Sequence, residues 1–330
     1  SKEAWKCRYV ENALAAGLLI GMTSFWNGAA VIGGLLILMG FAVCSDGKLD
    51  YLITAVTAVG FSVLQTRLFM KGSSVEAAFQ WGFIAEDKSA AGVLWYLIQM
   101  SGIFFVGALV LFFFYKKRLQ RAVLVSCLFP LVFAFCFSLT PDITVNHKYI
   151  MISYAFLAMF WAGAVCLLFR RKWQSCVVAV VLSVCLTITG IYDFVIIVRD
   201  NGPGHRVTVN TNSSLTDWLA ENLDSRDLIL TPEYSISEVT MAGVMMYLGW
   251  PYYAWSAGYD TYGRAQKAKE IYTSREPERV KSLVGQEGIT YILFEEGMTF
   301  EGETCIETTI KSVYRLVYQS EDRRIRIYET

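Results

Sequence analysis

The sequence predicts an α-helical polytopic membrane domain of about seven segments followed by a small extracytoplasmic α/β domain. Three observations carry this reading. The 330-residue chain is 55% hydrophobic, has a mean hydropathy of +0.41 and holds only 18% charged residues, against about 25% in a typical soluble domain. The apolar excess lies almost wholly before Val198, and the charges crowd into the residues after it. The expected division is therefore a transmembrane helical domain over 1–199 and an α/β domain over 200–330.

The segments follow in order. A helix needs about 20 mostly apolar residues to cross the hydrocarbon core. Ala13 to Cys44 runs 32 residues without a charge, too long for one simple span at about 1.5 Å per residue. Asn27-Gly28 interrupts it, and an Asn-Gly pair is a strong breaker, so two short arms of a hairpin are expected. Tyr51–Met70, Gly92–Tyr115, Ala122–Leu139, Tyr149–Phe169 and Cys176–Val198 complete the set. "KKRLQR" (Lys116–Arg121) and "RRK" (Arg170–Lys172) are the densest basic loops and lie two crossings apart, so they share a side, the cytoplasmic one. The hairpin then puts Lys2, Lys6 and Arg8 on that side as well. The loop 71–91, the stretch 140–148 and everything after Val198 fall outside the cytoplasm, in the cell envelope.

Beyond residue 200, "DLIL" (Asp227–Leu230) and "ITYILFE" (Ile289–Glu295) have strand length and composition, and "RLVYQ" with "RIRIYE" reads as a hairpin. "SLTDWLAENL" opens with a Ser/Thr cap and sets Leu215, Trp218, Leu219 and Leu223 on one face. "AQKAKEIYTS" and "EPERVKSLVGQEG" are further helices, with Gly288 as the stop of the second. Strands alternating with helices make a layered α/β domain.

Composition excludes some functions. The formal net charge is zero, so no global field favours nucleic acid. No G-x-G-x-x-G and no Walker A pattern is present. Six of the eight cysteines sit in apolar runs, where cysteine behaves as a small hydrophobe; Cys305 alone occupies the second domain, which leaves it no internal disulfide and no cysteine-based metal site. Asn212-Ser213-Ser214 fits a glycosylation acceptor. The chain starts "SKEAWKCRYVEN" without Met or a signal-peptide pattern, so a missing N-terminal membrane portion is expected.

Three stretches carry candidate chemistry. "TPDITVNHKYIM" (Thr140–Met151) packs Asp142, Asn146, His147 and Lys148 between two apolar runs. Asn146, His147 and Lys148 are donors that suit the phosphate of a lipid-linked substrate, and Asp142 suits a sugar hydroxyl or a divalent cation. The bland alternative is a short polar loop with a snorkelling lysine. "MYLGWPYYAWSAGYDTYGR" holds Trp250, Tyr252, Tyr253, Trp255, Asp260 and Arg264; flat rings beside carboxylate and guanidinium groups suit a sugar or acceptor, and equally a core or a lipid interface. The loop 71–91 carries Glu76, Glu86, Asp87 and Lys88 among Phe79, Trp81 and Phe83, and reads foremost as an amphipathic anchor.

These motifs, with "GMTSFWNGAAVI" and the run from "LGWPYYAW" to "GITYILFE", together resemble membrane glycosyltransferases of the GT-C superfamily, in particular YfhO-like relatives and, more distantly, the protein mannosyltransferases. The resemblance covers most of the chain as short motifs. It implies transfer of a sugar from a polyprenyl-phosphate carrier on the extracytoplasmic face, with inversion at the anomeric carbon. One departure stands out. The family keeps its catalytic acid in the first outer loop, and the first outer turn here, "FWNG", has none, so no catalytic residue is carried over. The competing expectation is a non-catalytic membrane protein that binds or moves a polyprenyl glycolipid. A transporter is disfavoured because no broken helix is expected beyond the first hairpin.

Overall fold

In a computed structural model of the protein, residues 5–69, 77–202, 204, 213–235 and 238–330 are described. The chain forms two compact units, Ser1–Gly202 and Pro203–Thr330.

In the first unit α1 (Val10–Met22) and α2 (Gly28–Cys44) are the two expected arms, joined through a 3₁₀ turn at Thr23–Phe25. Asn27 caps α2, its side chain accepting from the Ala30 N–H at 3.2 Å. α3 (Lys48–Phe69) runs parallel to α1. Asp50 accepts from the N–H groups of Arg8 and Tyr9 at 3.0 and 3.1 Å, and Ser24 meets Gln65 at the far end. A Cβ on Gly17 would lie 2.7 Å from the Thr54 carbonyl oxygen, so this close helix contact requires glycine.

The expected straight span Gly92–Tyr115 is corrected. The chain breaks there into α4 (Ala90–Ser101), α5 (Ile103–Val106) and α6 (Ala108–Phe114), with a bend of 110° after Ser101. Gly102 takes φ +56, a conformation that costs glycine little and leaves no mark on hydropathy. α7 (Arg118–Ser126) and α8 (Phe129–Cys136) form one path with Pro130 near the joint. α9 (His147–Phe169) and α10 (Trp173–Asp200) follow. Among the described residues four helices are long and apolar enough to cross a membrane, or five if the bent pair counts as one, where the sequence predicts seven segments. α1 with its 3₁₀ extension and α2 are shorter apolar helices.

α9 organises this unit. Its buried residues Ile150, Ser153, Leu157, Trp161 and Ala164 recur every three or four positions and form one face. That face serves backbone groups its broken neighbours leave open. Trp161 Nε1 donates to the Phe104 carbonyl (3.1 Å), and Ser153 Oγ accepts from the Leu131 N–H in the first turn of α8 (2.9 Å). Backbone groups opened by a helix break need such partners wherever they are buried.

The loops sort to two ends. Arg121 lies over the ring of Phe112 and Arg171 over that of Phe114, at 5.0 and 5.9 Å, and Arg118 lines a cavity with Cys44 and Ser45; both basic loops and the α2–α3 turn thus share one end. At the other, β1 (Ala78–Phe79) pairs antiparallel with β2 (Phe137–Ser138).

The second unit runs α11 (Ser214–Asn222), β3 (Leu228–Leu230), α12 (Glu238–Met241), β4 (Met245–Met246), α13 (Pro251–Ser256), α14 (Thr261–Thr273), α15 (Pro277–Glu287), β5 (Tyr291–Glu295), β6 (Thr299–Phe300), β7 (Glu303–Thr304), α16 (Glu307–Val313), β8 (Arg315–Gln319) and β9 (Ile325–Glu329). The main sheet has the order β4-β3-β5-β9-β8, with β3 parallel to β4 and β5 and the β8–β9 hairpin antiparallel. Alternation along β5 sends Ile292 and Phe294 to one core with Ile271, Tyr272 and Tyr328, and Leu293 to the other with Leu215, Leu219 and Ile327. Gly288 ends α15 in the left-handed conformation, φ +66. Asn212 of the glycosylation pattern lies outside the described residues.

Candidate functional site

The stretch 140–148 and the loop 77–89 meet at the C-terminus of α8. A helix leaves its last four carbonyls without intrahelical partners, and here each has one. Phe133 O accepts from the Phe137 N–H. Ala134 O takes the side-chain amide of Asn146 at 3.1 Å. Phe135 O and Cys136 O accept from the N–H groups of Gly82 (2.7 Å) and Gln80 (2.8 Å). Asn146 is 1% exposed and also donates to Phe137 O at 2.6 Å. Its amide thus donates to two backbone carbonyls, where the sequence reading expects a donor to a carrier phosphate. Asp142 caps a 3₁₀ turn, accepting from the N–H and hydroxyl of Thr144 at 2.8 and 2.7 Å. His147 is exposed with Nδ1 2.8 Å from Thr144 O. Lys148 is exposed and makes no hydrogen bond or ion pair among the described residues.

The loop 77–89 is more constrained than an anchor needs to be. Trp81 Nε1 donates to Lys88 O at 2.8 Å, and Lys88 Nζ donates to Phe83 O at 2.7 Å. Phe83 sits at φ +50, uncommon for a bulky residue, with its ring between those of Tyr96 and Phe135. The Asp87 carboxylate accepts from the Ser89 N–H and hydroxyl, each at 2.8 Å, and Ser89 caps α4. These bonds, the backbone one foremost, hold the Asp87 carboxyl below its usual range. A Cβ on Gly92 would fall 2.3 Å from the Asp87 carboxyl carbon, so glycine is required for that contact. Glu86, next to it, is exposed and unpaired among the described residues.

This loop and α4 line a cleft of about 750 Å³, with Glu86, Asp87, Trp95, Tyr96 and Gln99 on its walls. Two carboxylates, two aromatic faces and an amide converging on a cleft are the equipment of a polar-ligand site. Sequence reasoning passed over it. The charges of the loop are visible in the sequence; that the loop folds back on α4 and sets Glu86 and Asp87 beside Trp95 and Gln99 is not.

In the second unit Trp250, Tyr252, Tyr253 and Trp255 are 37–66% exposed, and neither core includes them. Their rings follow one another, Trp250–Tyr253 at 6.5 Å, Tyr253–Tyr252 at 6.0 Å and Tyr252–Trp255 at 6.0 Å. The charged members of the stretch go elsewhere. Asp260 caps α14 through the Gly263 N–H at 3.0 Å. Arg264 donates to Tyr247 O at 2.9 Å and covers the Tyr247 ring. Among the described residues no group of three or more His, Cys, Asp or Glu side chains is arranged to hold a metal ion. Comparison with protein-family models and with curated proteins gives no match.

Proposed function

We infer that the chain is a multi-pass membrane protein that receives the polar head of a polyprenyl-phosphate-linked sugar at the end of the bundle built from residues 77–89 and 140–148. The cleft along α4 carries this reading. Membrane residence rests on the four long apolar helices and on α10, which buries only Ala179 and turns Val180, Val184, Ile188 and Ile191 outward; so continuous an apolar face needs lipid or protein cover. The basic loops then lie in the cytoplasm, and the cleft and the second unit are extracytoplasmic.

As a glycosyltransferase, or the C-terminal half of one, the chain offers Glu86 as the base. It takes the proton of the acceptor hydroxyl as the acceptor oxygen bonds to the anomeric carbon. The carbon–oxygen bond to phosphate breaks, and the phosphate leaves with the electron pair toward Lys148. Trp95 covers a sugar face. The test is binding of a polyprenyl-phosphate sugar to the purified protein, then transfer to a soluble acceptor. Glu86→Gln should abolish transfer and preserve binding; Trp95→Ala should weaken binding. Lys148→Ala should weaken it roughly ten- to a hundredfold, the scale of a charge-assisted hydrogen bond. Full transfer by Glu86→Gln removes the assignment of the base.

A second reading, a protein that binds or moves the glycolipid without chemistry, is favoured by the 110° break at Gly102, since transporters build binding sites from discontinuous helices. Translocation of a fluorescent glycolipid in vesicles without any transfer product would select it.

A further inference from the structure

The basic end of the first unit carries cations with no role so far. The loops 116–121 and 170–172 hold seven Lys and Arg residues and no acid. Arg121 and Arg171 cover aromatic rings. Lys116, Lys117 and Arg118 are exposed and make no hydrogen bond or ion pair among the described residues.

Arg118 lines a cavity of about 370 Å³ with Ser45, Asp46 and Tyr51. Tyr51 stacks on Phe41, centroids 6.4 Å apart and planes within 16°, and it also lines a second cavity. That one, about 490 Å³ between α2 and α3, has aliphatic walls including Leu35, Leu38, Leu52 and Ala55. Lys48 stands at its edge, Nζ donating to Ala42 O at 2.9 Å and so holding a cation at the C-terminus of α2.

A cavity with the Arg118 guanidinium on its wall and an apolar groove that shares Tyr51 with it match a ligand with an anionic head and a hydrocarbon chain. We propose that this end binds an anionic phospholipid, its phosphate on Arg118 and one acyl chain in the α2–α3 groove. Basic pockets between membrane helices take such head groups, and guanidinium suits phosphate through paired donors. Asp46 shares the cavity wall with Arg118; Lys116 and Lys117, exposed and directly before Arg118 in the chain, make the loop as a whole cationic. A zwitterionic head would bring its own cation toward these three. The site is independent of the sugar reading and lies at the opposite end of the bundle.

The test measures lipid binding to the purified full chain in detergent, by native mass spectrometry, with phosphatidylglycerol and phosphatidylcholine of identical chains. Phosphatidylglycerol should bind more tightly. Arg118→Ala should cut that preference about fivefold, the equivalent of about 1 kcal/mol for one cation near an anionic lipid, and Arg118→Lys, which keeps the charge without the paired donors, should keep only part of it. Ala55→Phe, which fills the groove, should weaken both lipids; should that variant not fold, the two Arg118 variants decide alone. Equal affinity for the two lipids, or no effect of Arg118→Ala, would overturn the proposal. Displacement of the lipid by inorganic phosphate at comparable concentration would reduce the site to a bare anion contact and overturn it too.

Discussion

The stretches 140–148 and 250–264 both attract attention as polar or aromatic islands, and both divide in the same way. In the first, Asp142 and Asn146 serve backbone groups, the former at a 3₁₀ turn and the latter at the end of α8. In the second, Asp260 caps α14 and Arg264 holds the Tyr247 carbonyl. What stays exposed differs: His147 and Lys148 in one, a run of rings in the other. Unmet backbone groups claim nearby polar side chains first, because leaving such a group buried and unpaired costs about 1–3 kcal/mol. Only the residues left over are free for ligands. A motif read by residue type alone overcounts its site.

The comparison breaks most visibly at Asn146. Asn146→Ala strands two carbonyls and should destabilise the first unit by about 2–4 kcal/mol, measured as lost thermal stability in detergent; a neutral variant would return the residue to the list of ligand contacts. Asp260→Ala should cost the second unit about 1 kcal/mol, the usual loss of an N-cap, read from denaturant unfolding.

Acid sharpens the same contrast. Lys267 foremost, and then the Tyr247 hydroxyl, hold the Glu287 carboxyl below its usual value of 4.5. Its contribution is therefore complete above about pH 4.5 and lost as the pH falls through the lower folded value. That contribution should be about 0.2–1 kcal/mol, as for other partly exposed pairs, and Glu287→Gln should flatten the acid limb of the stability curve. The smallest effect belongs to the free residues. Tyr253→Ala and Lys148→Ala should each stay within about 0.5 kcal/mol of the parent. A large loss from Tyr253→Ala would move the rings into the core.

Much of the frame was legible. The hairpin at Asn27-Gly28, the strand "YILF", the closing hairpin β8–β9 and the Gly288 stop all rest on local signals, and local signals survive folding. The bend at Gly102 was not legible, because one glycine in an apolar run reads the same whether or not it takes positive φ. The pairing of Ala78 and Phe79 with Ser138 and Phe137 is non-local and has no local signature. The cleft on α4 lies wholly within residues 84–99, so the sequence displays its acids; the fold of the loop that sets them beside Trp95 and Gln99 rests on the Trp81–Lys88 and Lys88–Phe83 bonds, which residue type does not announce. The paired roles of Ser153 and Trp161 were hidden for the same reason: each answers a backbone group on another helix.

The β1–β2 pairing also sets a clock. Phe79 waits for a partner made about sixty residues later, and ribosomal synthesis at about 5–20 residues per second spaces the two by roughly 3–12 s. Until α8 emerges, Gln80 and Gly82 have no carbonyls to meet. During that interval the loop must remain hydrated or be shielded by another protein, so slower elongation between α6 and α8 lengthens its exposure, whereas slower elongation after Asn146 leaves it unchanged.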